Sequence, residues 1–235
     1  MCSWAMFMAE VLIPVVTIDG PSGSGKGTVT HRTARALGFH ILDSGALYRI
    51  IGLAASRRGL RLDDEASVAA LVPALEIRFT GSDRADDPLD VFLDGTNVSA
   101  AIRTDEAGVH ASRVAPMASV RSALHAVQHS FRRSPGLVAD GRDMGTVVFP
   151  DAQLKVFLTA SAEARAERRH KQLKDKGLSV NLAALLQSIQ ERDERDRNRE
   201  VAPLRPASDA VVIDSTDIPV DDVIAEVLAQ ARQRL

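Results

Sequence analysis

An α/β fold, with five parallel strands covered by helices and a small antiparallel insert, is what this sequence predicts, on three observations. Short β-branched runs lack polar alternation, the pattern of strands buried on both faces. A glycine-rich loop sits between the first run and a helical segment. Stretches long enough for helical crossovers separate the remaining runs. The first run is Pro14–Asp19. Helical spacing then extends from Lys26 to Leu37 and stops at Gly38, a residue suited to a left-handed C-terminal cap. His40–Leu42, Leu137–Asp140, Leu154–Leu158 and Ala210–Asp214 complete the parallel set. Leu75–Phe79 and Val91–Asp94 alternate instead like half-exposed strands. Asp94-Gly95 is a hairpin dipeptide leading into Asn97-Val98, so a small antiparallel insert is expected at 75–100. Between its first two strands, Gly81–Pro88 reads as a polar surface loop. The stretch Ser161–Glu200 is dense in both charge signs and fits solvated helix faces with i,i+4 pairs.

Composition excludes several classes. At 235 residues the length suits one domain with insertions better than two independent ones. Hydrophobic residues at 45% and charged ones at 26% rule out disorder as the dominant state. Lys and Arg number 29 against 31 Asp and Glu, a balance too neutral for affinity built on many nucleic-acid phosphates. Cys2 is the single cysteine, so neither an internal disulfide nor a multi-thiolate metal site is possible, and a reducing, cytoplasmic setting fits. Met1–Glu10 is apolar but lacks a basic leader and the roughly 20 apolar residues of a membrane span, and is read as a loose N-terminal extension.

The loop Gly20, Pro21, Ser22, Gly23, Ser24, Gly25, Lys26, Gly27, Thr28 follows the first strand and opens the first helix. In that context glycines let backbone N–H groups curl around a phosphate, the helix N-terminus adds partial positive charge, and the lysine reaches the β and γ phosphates. Gly27 stands where Ser or Thr would supply a direct magnesium ligand. The Gly-Lys-Gly-Thr form resembles that of nucleoside monophosphate kinases. It leaves Thr28 to act on phosphate or through a metal-bound water, and Asp140, ending a strand, looks like the acidic partner for such a water. A cap after the strand is the competing reading of Asp140.

A triphosphate cradle says who donates a phosphoryl group; three clusters speak to the acceptor. In Asp43–Arg49 a strand turns into a helix, with Ser44 near its start, Tyr48 one turn on, and Arg49 adjacent; equally, Asp43 or Ser44 caps the helix and Tyr48 packs into the core. In Asp140–Thr146 an arginine, Arg142, is able to fork onto a phosphate. Beside it Asp143 is able to accept from an exocyclic amine, which cytosine and adenine have and uracil lacks; a self-satisfied Arg-Asp turn is the alternative. In Glu191–Arg199, at the end of a helix expected from about Asn181, Arg192, Asp196 and Arg199 recur at i, i+4, i+7. On one face they would clamp phosphate oxygens and a sugar hydroxyl; a charged, solvated helix end competes.

Taken together, these clusters and the Gly-Lys-Gly-Thr loop resemble the bacterial cytidylate kinases, over nearly the whole chain from about Val15. The resemblance implies a P-loop kinase core at about 14–60, 134–160 and 200–235, an acceptor-binding insert at about 61–133 and a mobile lid at about 161–185. It implies ATP as donor with magnesium, CMP and dCMP as acceptors, and direct in-line transfer yielding CDP and dCDP. Lys26, Asp140, Arg142 and Arg192 would be catalytic. Ser44, Tyr48, Arg192 and Asp196 would surround the ribose, Arg49, Arg142 and Arg199 would neutralise the acceptor phosphate, and Ser112, Arg121 and Asp143 would read the base. Of the lid arginines Arg165, Arg168 and Arg169, one or more would close over the transferring phosphate, with Arg168 assigned to ATP. Neither a membrane nor a nucleic-acid polymer is expected as partner, and a monomer is expected. A kinase for another base, or one acting on shikimate or a sugar acid, would share the loop. A guanine-reading Asn-Lys-x-Asp segment, the mark of a nucleotide switch, does not occur.

Overall fold

A computed structural model describes residues 12–84, 87–175 and 177–235. The N-terminal stretch read as a loose extension lies outside them. In chain order, β1 (Val15–Asp19) leads through the glycine-rich loop into α1 (Lys26–Leu37), then β2 (His40–Asp43), α2 (Ser44–Arg57) and α3 (Glu65–Leu71). A three-stranded antiparallel unit follows, made of β3 (Ile77–Arg84), β4 (Asp87–Leu93) and β5 (Thr96–Asn97). Then come α4 (Asp105–Val114), α5 (Ala118–His129), β6 (Leu137–Gly141), β7 (Leu154–Thr159), α6 (Ala162–Asp175), α7 (Leu182–Arg197), β8 (Val211–Asp214) and α8 (Val220–Arg234).

The five predicted parallel strands form one sheet in the order β2-β6-β1-β7-β8. Alternation along β1 divides the core. Val15 faces a cluster with Leu47, Ile50, Ile51 and Leu124 of α2 and α5, while Val16 and Ile18 face one with Val29 of α1 and Val223 and Val227 of α8. Burial of such side chains contributes roughly 1.5–3 kcal/mol each, and β1 and β6 are buried along their whole length. Because β1 lies between β6 and β7, its C-terminal end opens into the crevice where open α/β sheets bind ligands.

Local chemistry set most boundaries. Gly38 caps α1 at φ 70°, and Asp94 and Gly95 both take positive φ, 49° and 76°, as a tight hairpin requires. One expectation fails over the described residues: 81–84 and 87–88 are strand, not surface loop. Backbone pairing carries β3 through Gly81 opposite Leu89 and on to Arg84 opposite Asp87, with an irregular register between. Turn-forming residues marked polarity there, and the ladder overrode it. No helix among the described residues is long and apolar enough to cross a membrane.

Candidate active site

The loop after β1 is built on backbone geometry. Gly20 has φ 152°, and a Cβ there would lie 1.9 Å from the Leu158 carbonyl oxygen of β7, so only glycine lets the strand exit so close to its neighbour. Gly25, at φ 91°, turns the chain into α1. Lys26 is buried in the first turn, and its Nζ donates to the Pro21 carbonyl at 2.8 Å. Burial and the Arg142 guanidinium push the Lys26 ammonium well below its ordinary value; Asp140 and Asp19 pull the other way.

Asp140 ends β6 beside this lysine. Burial and the Asp43 carboxylate push its carboxyl well above the usual range, against Lys26 and Arg142. A Cβ on Gly27 would come within 4.0 Å of Asp140 Oδ2, so the position lacking a hydroxyl and the carboxylate are neighbours. Among the described residues no three or more His, Cys, Asp or Glu side chains form a metal-holding group. One buried carboxylate beside the phosphate loop instead suits an ion ligated mainly by phosphate oxygens and water.

Asp19, at the end of β1, does a job its place in the sequence did not announce. Its carboxylate accepts the backbone N–H groups of Met144 at 2.9 Å and Gly145 at 2.8 Å, fixing the π-helical turn Met144–Val148. Burial raises its carboxyl from 3.8 to about 6 in spite of those two bonds. The turn it holds presents Arg142 and Asp143. These two do not pair with each other. Arg142 Nε donates to Asp196 Oδ2 of α7 at 2.8 Å, and Asp143, 2% exposed, takes the Arg121 guanidinium of α5. Arg121 also donates to the Tyr48 hydroxyl at 3.1 Å. Tyr48 therefore packs in the core with its hydroxyl held by Arg121, and burial pushes that hydroxyl up to about 12. Asp43 does cap α2, accepting from Ala46 N at 2.8 Å, while Ser44 Oγ accepts from Gln128 Nε2 at 3.1 Å.

The arginines of the cleft repel one another. Burial and then Arg142 depress Arg192 to about 10, with Arg49 adding to the effect. Burial depresses Arg49 too, with Arg142 and Arg169 contributing. A Cβ on Gly108 of α4 would lie 3.8 Å from Arg192 Nη1 and 3.9 Å from Arg49 Nη2, so the two guanidinium groups meet over that glycine. Burial alone would raise the Asp196 carboxyl, but the charge and hydrogen bond of Arg142 reverse the sign and hold it below its ordinary value. Among the described residues, buried Arg192 Nε and Arg199 Nη2 have no hydrogen-bond partner. Buried donors are paired almost without exception in folded proteins, so two orphaned cationic donors in one cleft are left free for an anion.

Two sequence-based expectations need correction, and two further residues are placed. Arg199 is not on the face of α7, because the helix ends at Arg197; its Nε reaches back to the Asp196 carbonyl at 3.4 Å. Arg165 is no lid cation. It is 2% exposed, forks onto Asp193 of α7 and donates to the Ser22 carbonyl of the phosphate loop at 2.9 Å. Arg168 is engaged by Ser215 and by the Thr216 carbonyl at 3.3 Å, and Ser215 in turn reaches the Ser24 carbonyl at 3.4 Å. Ser112 turns its hydroxyl to the Gly108 carbonyl of its own helix at 3.0 Å. Nothing in the sequence pointed to Gln128; its place seven residues after Arg121 on one helix was the available signal.

An open parallel sheet with a phosphate loop on its middle strand, facing an arginine-lined second anion site, defines a phosphate-loop kinase whose acceptor is itself anionic. Comparison with known proteins narrows this. The family model described as cytidylate kinase matches residues 16–233. A cytidylate kinase of Aeromonas salmonicida is 54% identical over 224 residues, covering 95% of this chain and 96% of that protein. Those of Cupriavidus pinatubonensis, at 55% over 217 residues (92% and 95%), and Bordetella pertussis, at 53% over 224 residues (95% and 97%), are similar to the same degree. The chain belongs to the cytidylate kinase family.

Proposed function

We propose that this protein transfers the γ-phosphoryl group of ATP to the 5′-phosphate of CMP and dCMP, releasing ADP with CDP or dCDP. The observation that carries the reading is the set of mutually repelling cations, Lys26, Arg49, Arg142 and Arg192, gathered at the mouth of a phosphate loop with donors left over. An acceptor phosphate is already a nucleophile and needs no strong base. The task is to bring two anions into line, and preorganised cations do that. Lys26 neutralises the transferring group from the donor side, and Arg142 and Arg192 do so from the acceptor side. Arg49 and Arg199 bind the acceptor phosphate, and Ser44, Tyr48 and Asp196 bind the ribose. Asp143, steadied by Arg121, accepts from the cytosine amine, with Ser112 beside it. Gly20 to Thr28 cradle ATP, and Arg168 borders that cradle through Ser215. Magnesium would be held through water by Asp140 and Thr28, and when bound supplies charge neutralisation at the β and γ oxygens.

In this reading residues 61–133 form the acceptor-binding insert and 161–185 the lid, both hinged on the parallel core of one monomeric, cytoplasmic enzyme. Closure over both nucleotides excludes water, which would otherwise attack ATP. The deciding experiment is an ADP-release assay over CMP, dCMP, UMP, AMP, shikimate and gluconate, with and without magnesium. Magnesium-dependent turnover of CMP and dCMP above all the others is expected. Absence of CMP-dependent ADP release overturns the proposal.

A further inference from the structure

Helix α5 touches the acceptor side of the cleft at three points along one face. Arg121 holds Asp143 and Tyr48, the His129 ring nitrogen Nε2 meets the Val148 carbonyl at 2.8 Å at the end of the π-helical turn, and Gln128 holds Ser44. Gln128 is 2% exposed and Ser44 2% exposed, so their contact is shut off from water. The amide of Gln128 gives its proton to Ser44 Oγ at 3.1 Å. Among the described residues the Ser44 hydroxyl has no protein acceptor for its own proton, although a hydroxyl carries one donor as well as acceptor lone pairs. With one lone pair occupied by Gln128, the O–H of Ser44 is left free to donate to a ligand.

We infer that Gln128 is a positioning residue that fixes Ser44 as a hydrogen-bond donor toward an oxygen of the acceptor nucleotide's sugar, and so sets acceptor affinity without touching the ligand. This rests on the proposed reaction. The two separate cleanly, because wild-type turnover of CMP tests the reaction and a double-mutant cycle tests Gln128. Gln128→Ala and Ser44→Ala should each raise the KM for CMP about fivefold, the worth of one hydrogen bond of about 1 kcal/mol, with kcat and the KM for ATP within twofold. In the Ser44→Ala background, adding Gln128→Ala should change the KM for CMP less than twofold. Gln128→Met, which keeps the volume and removes the donor, should reproduce Gln128→Ala and decides the matter if the alanine variant does not fold. Multiplying effects in the double variant, equal rises in KM for both substrates, or a wild-type KM for CMP in Gln128→Met would each overturn the inference.

Discussion

Arg165 and Arg192 are two arginines drawn into the same protein, a helix apart, with opposite fates. Each of the three guanidinium nitrogens of Arg165 donates to protein: it forks onto Asp193 and reaches the carbonyls of Ala160, Ser161 and Ser22. Arg192 sits among Arg142 and Arg49 with its Nε unpartnered and its guanidinium pushed down to about 10 by burial. A saturated buried arginine is mortar, holding α6 and α7 against the phosphate loop. An unsaturated one among other cations keeps a donor free for an anion. Sequence alone gives both the same appearance, a cation in a charged helix.

The contrast breaks or sharpens under substitution. Arg165→Met leaves Asp193 buried without its partner, so a loss of about 3–5 kcal/mol in unfolding free energy is expected from urea melts; unchanged stability would reduce Arg165 to a bystander. Lys26→Ala and Arg142→Ala should lower kcat by roughly 10²–10³-fold, since each removes a preorganised charge from the transfer path. Single-turnover kinetics would reveal wild-type chemistry if either assignment is wrong. Arg192→Met should raise the KM for CMP about 10- to 100-fold, the range for hydrogen bonds to charged groups. Because it also relieves repulsion from Arg142 and Arg49, the ligand-free melting temperature should hold or rise. That is the reverse of Arg165→Met, and a parallel fall in both variants would erase the distinction drawn here.

A smaller effect concerns pH. The Asp19 carboxyl is raised from 3.8 to about 6 in the folded protein. The protonated form is therefore favoured by folding. That contribution is complete below pH 3.8 and is lost as pH climbs to 6, at no more than about 1.4 kcal/mol per pH unit. Unfolding free energies of wild type minus Asp19→Asn should decline across that window, and a flat difference would contradict the burial that sets the shift. Smallest of all, Asp221→Ala removes an ion pair with Arg32 whose side chains are 72% and 48% exposed. It should alter stability by less than about 0.5 kcal/mol.

The centre of the parallel core was legible because β1 and β6 are buried on both faces and their composition has no reason to alternate; β2, β7 and β8, partly exposed, were read from their β-branched runs and spacing. The phosphate loop was legible because glycine, lysine and the strand-helix context each answer one physical demand. What stayed hidden depends on neighbours from distant parts of the chain. Asp19 ends a strand like any other carboxylate until β6 delivers Met144 and Gly145 to it. Gln128 is one polar residue on an amphipathic helix until α2 sets Ser44 beside it. The error at 81–84 and 87–88 has the opposite origin: turn-forming residues were read there, but a paired backbone outweighed them. Arg199 was misplaced because a heptad count does not know where a helix stops.

Helix α7 has one more consequence. Asp193 grips Arg165, and through it Ser22; Arg192, one residue earlier, and Asp196, three residues later, belong to the opposite rim. One rod is thus fastened to both rims within a single helical turn. Collar and opposite rim are thereby joined along a single stiff spindle, without a contact that crosses the sheet.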